Sequence, residues 1–256
     1  MSASSRFDNP YCAIDHTILN QGGLNMQAVF SVTGLPAGLQ QKLAAADPAA
    51  SPHRQLLLIG NGGETFWQRS REFVARTGHP LDEFALDTVQ RFLAEVAPGV
   101  RYRVLYPGPS LIPLQTLGAL AGWHHPSPMM VGINDYWGMW YAYRVALVAD
   151  TDFTPSARVD SVSPCLTCAD KPCLAACPAG ALGLADGLRL ERCLDHRVAP
   201  ASSCAACSSS CAAASTTSTR DTPSRSSSTS ARSRARPRVA TARTTSSASR
   251  PSSSSS

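Results

Sequence analysis

The last quarter of this 256-residue sequence lacks most of the residue types that build a folded protein. From Asp195 to Ser256 there is no Gly, Leu, Ile, Met, Phe, Tyr, Trp, Asn, Gln, Glu or Lys. Of these 62 residues, 57 are Ala, Ser, Thr, Pro, Arg or Cys. Such a segment cannot bury enough apolar surface to offset the entropy lost when its chain is ordered. The sequence therefore predicts a disordered, low-complexity tail over residues 212–256.

Two interpretations of this composition stay open. The abundant residue types all have codons with C or G in the middle position, which a GC-rich gene yields when it is read one frame off. On this interpretation the reading frame shifts from about residue 197, and the cysteines beyond that point are accidental. The alternative is a genuine Ser/Arg-rich tail that binds RNA or is phosphorylated.

The sequence also lacks membrane and secretion signals. No apolar run reaches the length needed to span a bilayer, and the N-terminal residues MSASSRFDNPYC do not form a signal peptide. We therefore predict a cytoplasmic protein with no membrane partner. In that reducing compartment, nine cysteines favour metal binding or redox chemistry over disulfides.

The net charge of +5 arises in the tail. Nine of the 23 basic side chains but only two of the 18 acidic ones follow residue 194, which leaves 14 basic and 16 acidic side chains before it. The part expected to fold therefore shows no electrostatic footprint for nucleic acid.

Strand and helix patterns alternate through the first 155 residues. Strands are predicted at 26–33, 56–60, 100–106, near 129 and near 143. Helices are predicted at 34–46, 64–77, 80–96 and 111–121. This alternation predicts an α/β domain over residues 1–155, and the polar segment TPSARVDSVSP is predicted to link it to the next part of the chain.

The run CLTCADKPCLAACP carries the strongest chemical signal. Cys165, Cys168, Cys173 and Cys177 fall within 13 residues, in the spacing C-x2-C-x4-C-x3-C-P. Closely spaced cysteines on a tight loop present three thiolates to one iron–sulfur cluster, and the fourth, before proline, ligates the other cluster in two-cluster ferredoxins. The run thus predicts a ferredoxin-like α+β module with [4Fe–4S] clusters over residues 156–211. A zinc ion held by the same four residues is the alternative.

A second cysteine group follows the first, as a two-cluster fold requires. One predicted ligand set comprises Cys165, Cys168, Cys173 and Cys211. The other comprises Cys177, Cys193, Cys204 and Cys207. If the frame shifts near residue 197, the first cluster keeps three of these ligands and the second keeps two. Cys12 is left over and is predicted to be a buried or incidental thiol.

Several segments together resemble a bacterial family of ferredoxin-domain proteins. They are HPLDEF at 79–84, VLYP at 104–107, GINDYWGMWYAYRVAL at 132–147, the cysteine run and ERCLDH at 191–196. That family is similar in layout to epoxyqueuosine reductase, a tRNA-modifying enzyme that uses cobalamin and two [4Fe–4S] clusters. The resemblance covers about residues 50–196.

The resemblance implies an α/β domain that faces a corrin or another flat cofactor and receives electrons from the clusters. The reductase needs an acidic proton donor near the end of the strand that here reads VLYP, but this chain continues Gly108-Pro109, with no carboxylate, which argues against the epoxide-reducing activity. A group of aromatic side chains either stacks on such a cofactor or packs in the core. These are Trp123, Tyr136, Trp137, Trp140, Tyr141 and Tyr143.

The sequence leaves three functions open. The first is an electron-transfer protein with one or two [4Fe–4S] clusters and a redox partner protein. The second is an oxidoreductase of the epoxyqueuosine-reductase type, with cobalamin or flavin, for which tRNA as a substrate would be the one nucleic-acid partner. The third is a structural module that binds zinc.

Translating the coding DNA across codons 190–220 in all three frames tests the origin of the tail. We expect another frame to encode a Gly-Cys and a Cys-Pro at the distance a second cluster needs, followed by ordinary mixed residues. If no frame does so, Cys204, Cys207 and Cys211 are genuine ligand candidates, and the Arg/Ser tail needs a function of its own.

Overall fold

Helices and strands alternate through most of the chain in a computed structural model that describes residues 9–50, 52–184 and 187–205. The helices are α1 (Thr17–Gln21), α2 (Ala37–Ala46), α3 (Thr65–Ser70), α4 (Pro80–Val96), α5 (Leu114–Ala121), α6 (Pro164–Thr167), α7 (Pro172–Ala175) and α8 (Leu190–Val198). The strands are β1 (Met26–Ser31), β2 (Gln55–Gly62), β3 (Tyr102–Tyr106), β4 (Tyr141–Ala149), β5 (Leu182–Gly183) and β6 (Gly187–Leu188). Short 3₁₀ turns occupy Val32–Gly34, Pro48–Ala50 and Ser203–Ala205.

Four strands form one sheet in the order β1-β2-β4-β3, and every neighbouring pair is antiparallel. The prediction of mixed helix and strand structure is confirmed. The sheet nevertheless differs from the parallel arrangement that alternating strands and helices commonly build. The reason is that β1 and β2 are antiparallel neighbours. The connection between them, which contains α2, therefore only reverses the chain direction and is not the crossover that joins parallel strands.

Strand β2 is buried along its whole length and supplies both cores. Leu56 and Leu58 pack on one side of the sheet with α2 and α5, whereas Leu57 and Ile59 pack on the other side with α1, α3 and α4. Successive side chains of a strand point to opposite faces, so a continuous apolar run is required wherever both faces are covered. The sheet therefore lies between two layers of helices.

A β-bulge in β4 changes the direction of one charged side chain. Gly60 pairs with Tyr143 and Ile59 pairs with Val145, which leaves Arg144 as the extra residue. Val145 belongs to the core beside α4, and the Arg144 guanidinium lies over the Phe66 ring of that same core. Two consecutive side chains thus project from one face, as a bulge allows.

Most predicted elements form, with changes at their ends. Helix α4 spans the predicted residues, beginning with Pro80 at its first turn, where Asp82 and Glu83 also lie. The helix predicted over 64–77 ends at Ser70. In the part of the chain that the structure describes, no helix is long and apolar enough to cross a membrane.

The strand predicted near residue 129 is wrong. Residues 127–130 form a turn, closed by a hydrogen bond from Met130 N to Ser127 O, with Met130 in a left-handed conformation at φ 60°. Ile133 makes only an isolated bridge to His125. The prolines at 126 and 128 disfavour a continuous ladder, and this explains why the apolar residues do not extend into a strand.

The cysteine segment contains the short helices α6 and α7, the two-stranded pair β5-β6 and then α8. Cys207, Cys211 and the predicted tail at 212–256 lie outside the described residues. The ferredoxin-like module, its bounds and the other domain bounds therefore stay predictions.

Replacing a core leucine of β2 tests the two-core arrangement. We expect Leu57→Ala to lower the free energy of unfolding by about 2–5 kcal/mol, because it removes a fully buried side chain and leaves a cavity. Leu111→Ala is the matched control, since that leucine is 92 % exposed and should change stability by less than about 0.5 kcal/mol. Urea unfolding followed by circular dichroism measures both, and equal effects would contradict the arrangement.

Candidate metal centre

Three cysteines of the run line one small cavity: Cys165, Cys168 and Cys173. Helix α6 begins with Pro164, and the Ser163 hydroxyl accepts a hydrogen bond from Cys165 N at 3.3 Å. Cys168 directly follows α6, and Cys173 lies in the first turn of α7. The start and the end of α6 and the start of α7 therefore place three thiols on the walls of one cavity.

A tight turn joins the second and third thiols. Lys171 adopts a left-handed conformation at φ 43°, and Pro172 then starts α7. The Lys171 ammonium donates a hydrogen bond to the backbone carbonyl of Cys165. The same lysine therefore turns the chain and ties the turn back to α6.

The Cys173 thiol is influenced by its burial and by the other two thiols. Burial raises the pKa of the Cys173 thiol, and the nearby Cys165 and Cys168 raise it further. Three thiolates in such a cavity repel one another unless a cation neutralises them. The donor set thus has the chemistry of a thiolate metal site.

Cys177 does not line this cavity. Its Sγ accepts a hydrogen bond from Ala181 N at 3.4 Å. Burial opposes the thiolate charge, but hydrogen bonds from the backbone of residues 179–182 outweigh it, so the pKa of Cys177 lies below its ordinary value. Backbone N–H groups on sulfur are one of the ways in which proteins tune cluster ligands.

The remaining cysteines lie elsewhere. Cys193 is on α8 and Cys204 is in the last 3₁₀ turn, and neither lines the cavity. Within the described ranges, no three His, Cys, Asp or Glu side chains lie close enough to hold a single metal ion. Cys12 is half-buried in the N-terminal part, where its Sγ lies 3.2 Å from Gln27 Oε1.

The residues fit a cluster in donor type, because three thiols line one cavity, but among the described residues they are not close enough to share a single metal ion, and the cavity is small. It encloses about 20 Å³, which is about the room that one water molecule needs. Because a cluster of four irons and four sulfides is larger than one water molecule, loading it requires the walls to separate.

The residues of the opposite wall of the cavity were not predicted from the sequence to belong to a site. This wall is formed by Ser127, Pro128, Met129 and Ile133. The sequence signal was present in the Pro-Ser-Pro segment at 126–128, which favours a turn over a strand. The turn covers the thiols with apolar side chains from the N-terminal part of the chain.

The segment predicted to be a linker is fastened to the sheet and to α5. Ser156 N donates to Val29 O at 2.8 Å, and Val29 N donates to the Ser156 hydroxyl at 2.8 Å. Val159 N donates to Ala121 O at 3.0 Å. This route fixes the point from which the cysteine run starts.

The aromatic side chains contact one another. Trp123 is buried and stacks on Tyr143, with ring centroids 6.2 Å apart. Tyr143 in turn meets Tyr141 edge-on, and burial raises the pKa of Tyr141 to about 12. Trp140 is exposed. For the buried members, these contacts support packing over stacking on a flat cofactor.

No protein-family model and no curated protein matches the chain. Epoxyqueuosine reductase from Streptococcus thermophilus is similar over 69 % of this chain and 55 % of its own, at 15 % identity and a TM-score of 0.43. The Bacillus subtilis reductase is similar over 68 % and 54 %, at 14 % identity and a TM-score of 0.43. A catabolic reductive dehalogenase in complex with 3-bromo-4-hydroxybenzoic acid is similar over 71 % and 28 %, at 15 % identity and a TM-score of 0.42.

The chain thus spans about half the length of these reductases. At these identities and TM-scores, the similarity does not indicate an activity for this chain.

A glycine at the end of α5 tests how the cysteine run is anchored. Gly122 has φ 79°, and a Cβ there would lie 2.1 Å from Val159 O. We expect Gly122→Ala to cost at least about 1–2 kcal/mol in the free energy of unfolding, through its left-handed backbone and this clash. Gly38→Ala is the control, because a Cβ there meets nothing within 4 Å. If urea unfolding shows equal stability for both variants, the segment is not held against α5.

Proposed function

We propose that this chain binds a [4Fe–4S] cluster at Cys165, Cys168 and Cys173 and transfers electrons through it. The observation that carries the proposal is the grouping of these three thiols on one cavity while Cys177 stays outside it. A two-cluster ferredoxin run divides its cysteines in this way. The predicted fourth ligand of this cluster is Cys211.

The position of Cys177 favours a cluster over zinc. A structural zinc ion needs four ligands around one point, with sulfurs about 2.3 Å from the metal. The Cys177 sulfur instead accepts a hydrogen bond from Ala181 N and does not line the cavity of the other three thiols. For the second cluster, Cys177 would act with Cys193, Cys204 and Cys207, and its backbone hydrogen bonds suit a thiolate ligand.

The surroundings of the thiols suit electron transfer. Met129 and Ile133 provide an apolar wall, which lowers the local dielectric and is one of the ways to set a cluster potential. On the other side, Leu166 lies between two of the thiols in sequence and is 77 % exposed. A redox partner protein could therefore approach the cluster from the α6 side.

Reconstituting the full chain with iron and sulfide under anaerobic conditions tests this proposal. We expect about four irons and four sulfides for each bound cluster, with the absorbance and the electron paramagnetic resonance of a reducible cluster. Cys173→Ala should abolish or sharply reduce this loading, because it removes one of three grouped ligands. Cys12→Ala is the control and should load as the parent does, since Cys12 is remote from the cavity.

The outcome that contradicts the proposal is zinc bound without sulfide, or equal loading of the two cysteine variants. The same sample separates electron transfer from the reductase alternative. A retained chromophore absorbing beyond the cluster bands would favour a cobalamin or flavin enzyme, for which tRNA is the substrate that the sequence resemblance implies.

A further inference from the structure

A second, larger cleft lies between α3 and the start of α4. It has a volume of about 490 Å³, within the range of small-molecule sites. It shares no lining residue with the cysteine cavity. A ligand bound there would therefore not use the proposed cluster ligands.

The β4 bulge presents Arg144 to this cleft. The side chain is held at two points: its Nε donates to Asn61 Oδ1 at 2.7 Å, and its guanidinium carbon lies 4.4 Å from the centre of the Phe66 ring. Among the described residues, neither of its two Nη nitrogens makes a hydrogen bond or an ion pair. The half-buried guanidinium is thus held in place, and its two Nη groups are available to donate hydrogen bonds to a ligand.

The charges along the cleft favour an anion. Arg71 lies at the rim with Arg144, and Asp82 is the one carboxylate among the lining residues. Burial lowers the pKa of Arg144, whereas Tyr106 and Asp82 raise it, and the lowering prevails. Asp82 therefore offsets the desolvation of this guanidinium only in part, and a bound anion would offset the rest.

The walls of the cleft favour a planar group. Trp67 is 56 % exposed and lines the cleft together with Phe73. An exposed indole beside an arginine fork offers a stacking surface next to a bidentate anion donor. The first turn of α4 also lines the cleft, and its N-cap residue His79 makes no side-chain cap hydrogen bond.

We propose that this cleft binds a planar organic anion, with the anionic group on Arg144 and the ring against Trp67. The ring can belong to a nucleotide or to an aromatic carboxylate, because both present the same two features. Arg71 provides a second positive charge, whereas Asp82 repels any anion in the cleft, so contact of the ring with Trp67 has to add to the affinity.

Calorimetric titration of the full chain with adenosine monophosphate and with benzoate tests the site and separates the two sources. Adenosine and inorganic phosphate serve as the ring alone and the anion alone. We expect at least one of the two planar anions to bind saturably, about tenfold or more tighter than either fragment. Binding of the nucleotide alone would assign a nucleotide, and binding of benzoate alone would assign an aromatic carboxylate.

Matched arginine variants test the assigned contacts. Arg144→Gln should weaken binding about tenfold or more, and Arg71→Gln, at the exposed rim, should weaken it without affecting the fold. Arg91→Gln is the control, because Arg91 lies outside the cleft and pairs with Asp87 on α4. The proposal is overturned if neither planar anion binds, if phosphate alone binds as tightly, or if Arg144→Gln and Arg71→Gln bind as the control does.

Discussion

The burial of β2 on both of its faces is the constraint on which this structure depends. A strand with Leu56, Leu57, Leu58 and Ile59 in sequence cannot leave either face of the sheet in water without a large cost in apolar hydration. Helices must therefore cover both sides. On the side covered by α2 and α5, the end of α5 accepts a hydrogen bond from Val159 of the later segment, so this layer also helps to determine where the cysteine run begins.

The cavity beside the thiols is consequently a product of two distant parts of the chain. The turn at 127–130 contributes apolar side chains, and the run from Cys165 contributes sulfur. A cysteine spacing alone defines which ligands can converge, but the polarity and solvent access around them are set by what covers them. In this protein, part of that covering comes from the turn at 127–130, outside the cysteine segment.

Parts of this architecture could be predicted from the sequence. Helix α4 has apolar periodicity and a proline start, and β2 has an apolar run of strand length, so both were predicted close to their observed bounds. Cys177 lies outside the cavity that the other three thiols line, and the two ligand sets expected from the spacing stay predictions. The orientation of Arg144 was not predicted, because it depends on pairing with a distant strand that periodicity does not encode. The turn near 129 was missed for another reason: the apolar residues were given more weight than the prolines at 126 and 128, which indicate a turn.

The pairing of Ser156 with Val29 has a consequence for self-association. It occupies backbone groups on the outer edge of β1, so a second molecule cannot extend the sheet there without first displacing this segment. The other edge is β3, where Arg103 pairs with Asp47, and Arg101, just before the strand, pairs with Asp150. One edge is capped and the other carries charged side chains, and both features oppose strand-by-strand association of the sheet.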